Sequence, residues 1–183
     1  MSPPHAAREN PEVIRLRLRE LSQLFNSLDP SPFIDRDLDA DAEEFIVSWA
    51  RELPPDHELK LLIDLTTAPP AERAETIQDA VRHYFNERAE GKRREFRQLM
   101  RRGRISLAIG LLFLAGCLTI ANGFEKLGIL GLSGIMQESF VIVGWVAMWR
   151  PLEIYLYDWW PLRAEWRLFR RLSRMEVELA WRK

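Results

Sequence analysis

The chain carries one cysteine, Cys117, so no intrachain disulfide braces it. His5, His57 and His83 are scattered over different predicted elements with no metal-ligand spacing. A Gly-rich phosphate loop, a Gly-x-Ser-x-Gly elbow and a Cys-x-x-Cys pair are all missing, and no serine or threonine has a recognisable base nearby in sequence. The acidic run Asp35-Arg-Asp-Leu-Asp-Ala-Asp41 invites comparison with a calcium loop. Counted from Asp35, however, its sixth position is Ala40 rather than glycine and its twelfth is Ile46 rather than glutamate. The sequence therefore offers no catalytic residue, no metal ligand and no cofactor-binding residue, and the expected protein is not an enzyme. The first ten residues, MSPPHAAREN, hold no apolar core of the signal-peptide kind, so the chain is expected to begin in the cytoplasm.

Net charge is nearly absent too, at −1 over 183 residues, but that sum hides a division. Residues 29–58 hold ten acids (Asp29, Asp35, Asp37, Asp39, Asp41, Glu43, Glu44, Glu52, Asp56, Glu58) against Arg36 and Arg51. Residues 88–104 reverse the sign, with eight bases against Glu90 and Glu95. Such asymmetry speaks of surfaces and topology rather than of fold.

What the chain does have is a greasy middle. Ile105 to Phe124 contains no charged side chain, and at 1.5 Å per residue it makes about 30 Å of helix, enough to cross a bilayer core. A break at Glu125-Lys126 is expected next. A second apolar zone runs from Leu127 to Tyr157, interrupted by Glu138, Arg150 and Glu153. One reading spans it from Leu127 to near Trp149. The preferred one starts near Gln137 and ends near Tyr157, with Leu127–Met136 as an apolar turn. That places Tyr155, Tyr157, Trp159 and Trp160 at an interface, where amphipathic rings settle. Arg150 is expected to pair with Glu153 and Pro151 to kink the helix. Gly128, Gly131 and Gly134, and Ser106 with Gly110, mark places where helices can approach closely.

Positive charge near the helix ends sets orientation. Lys92, Arg93, Arg94, Arg97, Arg101, Arg102 and Arg104 precede the first span; Arg163, Arg167, Arg170, Arg171 and Arg174 follow the second; the connector has only Lys126. Both termini are expected in the cytoplasm. Arg94, Arg97, Arg101, Arg102, Arg104, Trp159, Trp160, Arg163, Arg167, Arg170 and Arg171 are the candidate contacts to lipid headgroups. Glu138, Arg150 and Glu153 are candidate functional polar groups within the membrane.

Before the spans, Ile14, Leu16 and Leu18 alternate with Arg15, Arg17 and Arg19, which favours a strand over 12–19 turning helical toward Phe25, with a helix as the rival because Ile14, Leu18, Leu21, Phe25 and Leu28 also share one stripe. Leu28–Phe33 reads as a Pro-fixed loop. A helix is expected to start at Asp41, with Glu44 completing a capping-box-like pair, and to run to Leu53, burying Phe45, Ile46, Trp49, Ala50 and Leu53. Leu59–Leu65 alternates again and predicts a second strand, giving a small α+β unit with parallel pairing. Two strands make a poor sheet, so the unit is expected to borrow a neighbour's strand or to pack on its helices. A long helix then carries the stripe Ile77, Ala80, Val81, Tyr84 and Phe85 into a basic stretch, with Gly91 and Gly103 as weak points. After the spans, residues 162–183 read as a basic amphipathic helix.

The predicted architecture is thus mainly α: a flexible lead (1–11), an α+β domain (12–90), a basic juxtamembrane helix (91–104), a transmembrane hairpin (105–161) and the tail helix (162–183). Two stretches, Leu24-Phe-Asn-Ser-Leu-Asp-Pro-Ser-Pro-Phe33 and Gly144-Trp-Val-Ala-Met-Trp-Arg-Pro-Leu-Glu-Ile-Tyr-Leu-Tyr-Asp-Trp-Trp-Pro161, resemble a group of uncharacterised small bacterial two-pass inner-membrane proteins. The resemblance implies a bacterial inner membrane and carries over no activity, cofactor or site residue. The expected role is a membrane-anchored interaction or scaffold protein, self-associating, whose cytoplasmic domain recruits a protein partner. A small oligomeric channel or transporter using Glu138, Arg150 and Glu153 is the rival. Membrane lipid, rather than nucleic acid, is the anion expected at the basic collar.

Overall fold

The computed structural model describes residues 12–55, 57–127 and 133–181. It divides into a sheet unit, Met1–Gly91 with Ala164–Lys183, and an apolar unit, Lys92–Arg163.

The sheet unit is built on three parallel strands in the order β1 (Glu12–Leu18), β2 (Leu59–Leu65) and β3 (Glu176–Trp181). Parallel neighbours need a crossover. Between β1 and β2 it is made by two short 3-10 turns and α1 (Ala40–Glu52). Between β2 and β3 the chain runs through every remaining helix. These are α2 (Ala71–Leu127), α3 (Ser133–Ala147), α4 (Trp149–Glu153), a π-helical turn (Ile154–Asp158) and α5 (Trp159–Leu172).

The period-2 pattern of both predicted strands holds. Ile14 and Leu16 face inward with Leu59, Leu61, Ile63 and Leu65. The stripe Ile77, Ala80, Val81, Tyr84 and Phe85 of α2 closes on that core, and α5 adds Phe169 and Leu172. Phe85 and Phe169 stack with centroids 6.4 Å apart.

Several expectations need correction. The tail is not one helix to Trp181. It breaks after Leu172, and Glu176–Trp181 becomes the third strand, with Met175 and Val177 buried beside the sheet. The residues missing from a two-strand sheet thus come from this chain's own tail, which belongs to the sheet unit. Helix α1 begins at Ala40, capped by Asp39, whose side chain accepts from the amide of Asp41, so the cap lies upstream of the predicted Asp41 and Glu44. Its inward residues are Ala42, Ile46, Val47 and Ala50. Phe45 and Leu53 are only half-buried and Trp49 is exposed. Helix α2 continues through the weak points Gly91 and Gly103, and the charged pair Glu125-Lys126 that interrupts the apolar run also lies within it. Tertiary packing overrides the small helical cost of a single glycine.

The loop before α1 is held by Asp29. Its carboxylate accepts from the amides of Asp37 (2.8 Å) and Ser31 (2.9 Å). The bond from Asp37, followed by those from Ser31, pulls its pKa down to about 2. A carboxyl whose folded pKa is depressed stabilises the fold above its unfolded value and loses that contribution as pH falls through the folded one. Protection of the Asp37 amide, taken relative to its intrinsic exchange rate at each pH, is therefore expected to fall between about pH 4 and pH 2. In Asp29→Asn this pH step should vanish; a step that persists would assign it to another group.

Candidate functional site

Two helices are long and apolar enough to cross a membrane by length and composition, within Thr76–Gly123 and Gly134–Leu172. Their most apolar windows have mean hydropathies of 2.1 and 1.2, and only 17% and 22% of the residues in those windows are buried. That low burial separates them from the core helix of a soluble domain, which is apolar because it is covered. Among the described residues Ile109, Leu112, Ile135, Trp145, Val146 and Trp149 are each at least 63% exposed. An uncovered apolar surface of this kind calls for another apolar phase or a partner.

The buried and half-buried residues of the apolar unit include a narrow seam. On α2 it runs Gly103, Leu107, Gly110, Leu114, Cys117, Ala121, in alternating steps of four and three residues. On the other side it runs Gln137, Val141, Gly144, Met148, Pro151 in the same rhythm. This 3.5-residue period is that of a coiled-coil seam, in which each helix buries one stripe only. Glycine sets the closeness. A Cβ added at Gly103 would lie 2.9 Å from Ile154 Cγ2, at Gly110 3.0 Å from Met148 Sδ, and at Gly144 2.8 Å from Leu114 Cδ1. Rising numbers on α2 thus meet falling numbers opposite, an antiparallel packing.

The glycines singled out from sequence fare differently. Gly128 and Gly131 lie outside the described residues, and Gly134 meets nothing within 4 Å. Gly103 and Gly144 were missed as contacts; the signal available was their heptad spacing relative to Gly110 and Cys117.

The second apolar run is interrupted where proline requires it. Pro151 lacks an amide hydrogen and its ring crowds the carbonyl four residues back, that of Ala147, where α3 ends. The run restarts at Ser133, ahead of the predicted Gln137, and continues past Tyr157 through a π-helical turn. Arg150 Nη1 donates to Glu153 Oε2 at 2.8 Å and lies 3.7 Å from Asp158 Oδ2. Glu138 is exposed on α3, about 18 Å of helical rise from Arg150. The structure therefore joins Arg150 to Glu153 and leaves Glu138 apart.

Of the candidate headgroup residues, Arg94, Arg97, Arg101, Arg102 and Arg104 are exposed along α2, with no ion pair among the described residues. Trp159 is half-buried and donates its indole N–H to the carbonyl of Tyr155, Arg163 lies over its ring, and Trp160 is 64% exposed. Arg167 is exposed; Arg170 sits over the ring of Trp166. Arg171 has other employment. Its guanidinium donates to the carbonyls of Pro54 (2.6 Å) and His57 (2.6 Å), tying α5 to the loop before β2.

Comparison with family models, curated proteins and solved structures returns no match.

The sheet unit holds one half-buried polar cluster. Glu43 of α1 accepts from the Tyr84 hydroxyl at 2.7 Å and from Arg88 Nε at 2.8 Å, and Arg88 in turn lies over the Phe169 ring. Burial, then the neighbouring Glu43 carboxylate, pushes the Tyr84 pKa up, so its hydroxyl stays a donor. The cluster joins α1 to α2 and α5. Glu43→Ala is expected to cost about 2 kcal/mol in thermal or urea unfolding, because it strands two donors. Glu43→Gln, which keeps an acceptor oxygen, should cost less; equal losses would deny the hydrogen bonds this role.

Proposed function

We propose that this is a two-pass integral protein of a bacterial inner membrane, with both termini cytoplasmic, whose sheet unit is a cytoplasmic interaction module that self-associates and recruits a protein partner. The observation that carries the reading is the position of the apolar helices. They lie in the crossover between β2 and β3, which are hydrogen-bonded neighbours. A chain that leaves a sheet and returns to it must cross a membrane an even number of times. Two spans in a transmembrane hairpin satisfy that condition and one does not. Charge agrees, since Arg94, Arg97, Arg101, Arg102 and Arg104 stand before the first span and Arg163 after the second. The resemblance of Leu24–Phe33 and Gly144–Pro161 to small bacterial two-pass proteins points to the same membrane.

A scaffold role, rather than an enzymatic one, is supported by where the polar groups go. Glu43, Tyr84, Arg88 and Arg171 are engaged in holding elements together. The channel reading is the weaker one. It needs Glu138, Arg150 and Glu153 to share an interior, whereas Arg150 and Glu153 pair within one helical turn and Glu138 stands far from both.

The test is cysteine accessibility in a Cys117→Ser background, with single cysteines at Ser2, Leu130 and Ser173. A membrane-impermeant maleimide added to intact spheroplasts should label Leu130→Cys alone, and all three after lysis. Labelling of Ser2→Cys and Ser173→Cys from opposite sides would end the two-pass reading. Proton or ion flux in liposomes that Glu138→Gln abolishes would replace the scaffold with the channel.

A further inference from the structure

All-parallel sheets are ordinarily covered on both faces. Here one face is not. Val13, Arg15 and Arg17 of β1 and Glu176 and Glu178 of β3 are exposed, and Lys60, Leu62 and Asp64 of β2 between them are only half-buried. The register makes rows of these residues: Val13, Lys60, Glu176; then Arg15, Leu62, Glu178; then Arg17, Asp64, Ala180. Charge is therefore sorted across the sheet. The β1 edge carries arginine, the β3 edge glutamate, and Lys60 on the central strand bridges to Glu176 and Glu178. Arg15 and Arg17 make no ion pair among the described residues. Three bases (Arg15, Arg17, Lys60) balance three acids (Asp64, Glu176, Glu178), so the face as a whole is neutral.

A neutral face with segregated signs is a poor surface for phosphate and a good one for its own copy. Two sheets packed face to face by a two-fold axis have two simple choices. With the axis across the strands, β1 lies over β1 and arginine meets arginine. With the axis along the strands, β1 of one copy lies over β3 of the other. In that register Arg15 opposes Glu178 twice by symmetry, Arg17 and Glu176 each lie one row away from an opposite charge on the same paired edges, and along the central strand Leu62 meets Leu62 while Lys60 and Asp64 each face their own copy. We infer that the open sheet face binds a second copy of this chain in the second arrangement, an isologous contact. The inference rests on the reading of the protein as a self-associating membrane protein.

Area sets its strength. Three strands 4.8 Å apart and six residues long cover about 300 Å² per copy, against about 800 Å² per partner in a standard stable interface. The contact is weak in solution and becomes populated when both copies share one membrane, where effective concentration rises.

The experiment uses the full chain, with donor and acceptor dyes on C-terminal tags, reconstituted at low density in phosphatidylcholine vesicles. Flotation with the vesicles comes first, and failure to float would refute the membrane reading itself. Given flotation, energy transfer in the natural protein should exceed random proximity. It should fall to that level in Arg15→Glu/Arg17→Glu and again in Glu176→Arg/Glu178→Arg. An equal mixture of the two variants should restore it, since each then presents to the other the sign it lacks. That rescue also excludes misfolding, which mixing would not repair. Transfer that neither variant reduces, assigning association to the apolar helices, or a mixture that stays at the random level, would overturn the inference.

Discussion

Gly144→Leu is expected to force the two apolar helices apart at mid-seam and to destabilise that unit by about 3 kcal/mol. At this position even a Cβ would lie 2.8 Å from Leu114 Cδ1, 3.2 Å from Cys117 Cβ and 3.6 Å from the Leu114 backbone. Leu114 Cδ1 can rotate away, so Gly144→Ala should cost about 1 kcal/mol or less. A leucine adds further carbons aimed at α2, where the backbone cannot yield without moving the helix. Gly116→Leu is the matched control, because nothing lies within 4 Å of a Cβ there. Unfolding in mixed micelles, followed by the helical circular dichroism signal, should rank the variants Gly144→Leu, then Gly144→Ala, then Gly116→Leu. If the two leucine variants unfold alike, close approach at the seam is not what joins these helices.

Ending the chain after Arg174 is expected to have the larger effect and to unfold the sheet unit. The deletion removes the ladder that β3 makes with Lys60–Leu65 and takes Met175 and Val177 out of the core. Their burial alone is worth about 4 kcal/mol, a large share of the 5–15 kcal/mol that holds a typical domain together. It also turns the central strand into an edge whose amides on one side have no partner. Hydrogen exchange should show loss of protection over Leu59–Leu65, with protection in the apolar helices retained. Protection of β2 that survives the deletion would reduce β3 to an accessory.

The parts of this architecture that were legible in sequence are those whose periodicity is local. Ile14, Leu16 and Leu18 declare a strand within seven residues, as do Leu59, Leu61, Ile63 and Leu65, and a stretch such as Ile105–Phe124 needs no context to be read as apolar helix. The third strand was hidden for a different reason. Leu162, Trp166, Phe169 and Leu172 set a helical rhythm whose spacing Met175 continues, and the alternation of Val177, Leu179 and Trp181 is short. Its partner, β2, lies on the far side of both apolar helices, and pairing over that separation leaves no mark in the tail itself. The seam is half-visible in sequence: small residues stand out wherever they cluster, whereas the significance of Gly103 and Gly144 depends on what packs opposite. Helical period alone turns Trp49 inward, but it is Val47 that packs into the core while Trp49 stays exposed.

Strand β3 follows both apolar helices in the order of synthesis. As the ribosome advances, β1 and β2 emerge with the middle ribbon complete on one flank and raw on the other. Nothing made before the last helix can seal that flank. Until the tail arrives, β2 keeps an unpaired backbone edge of the kind that can pair with another chain. Closure of the little sheet therefore waits on everything enclosed between its second and third strands.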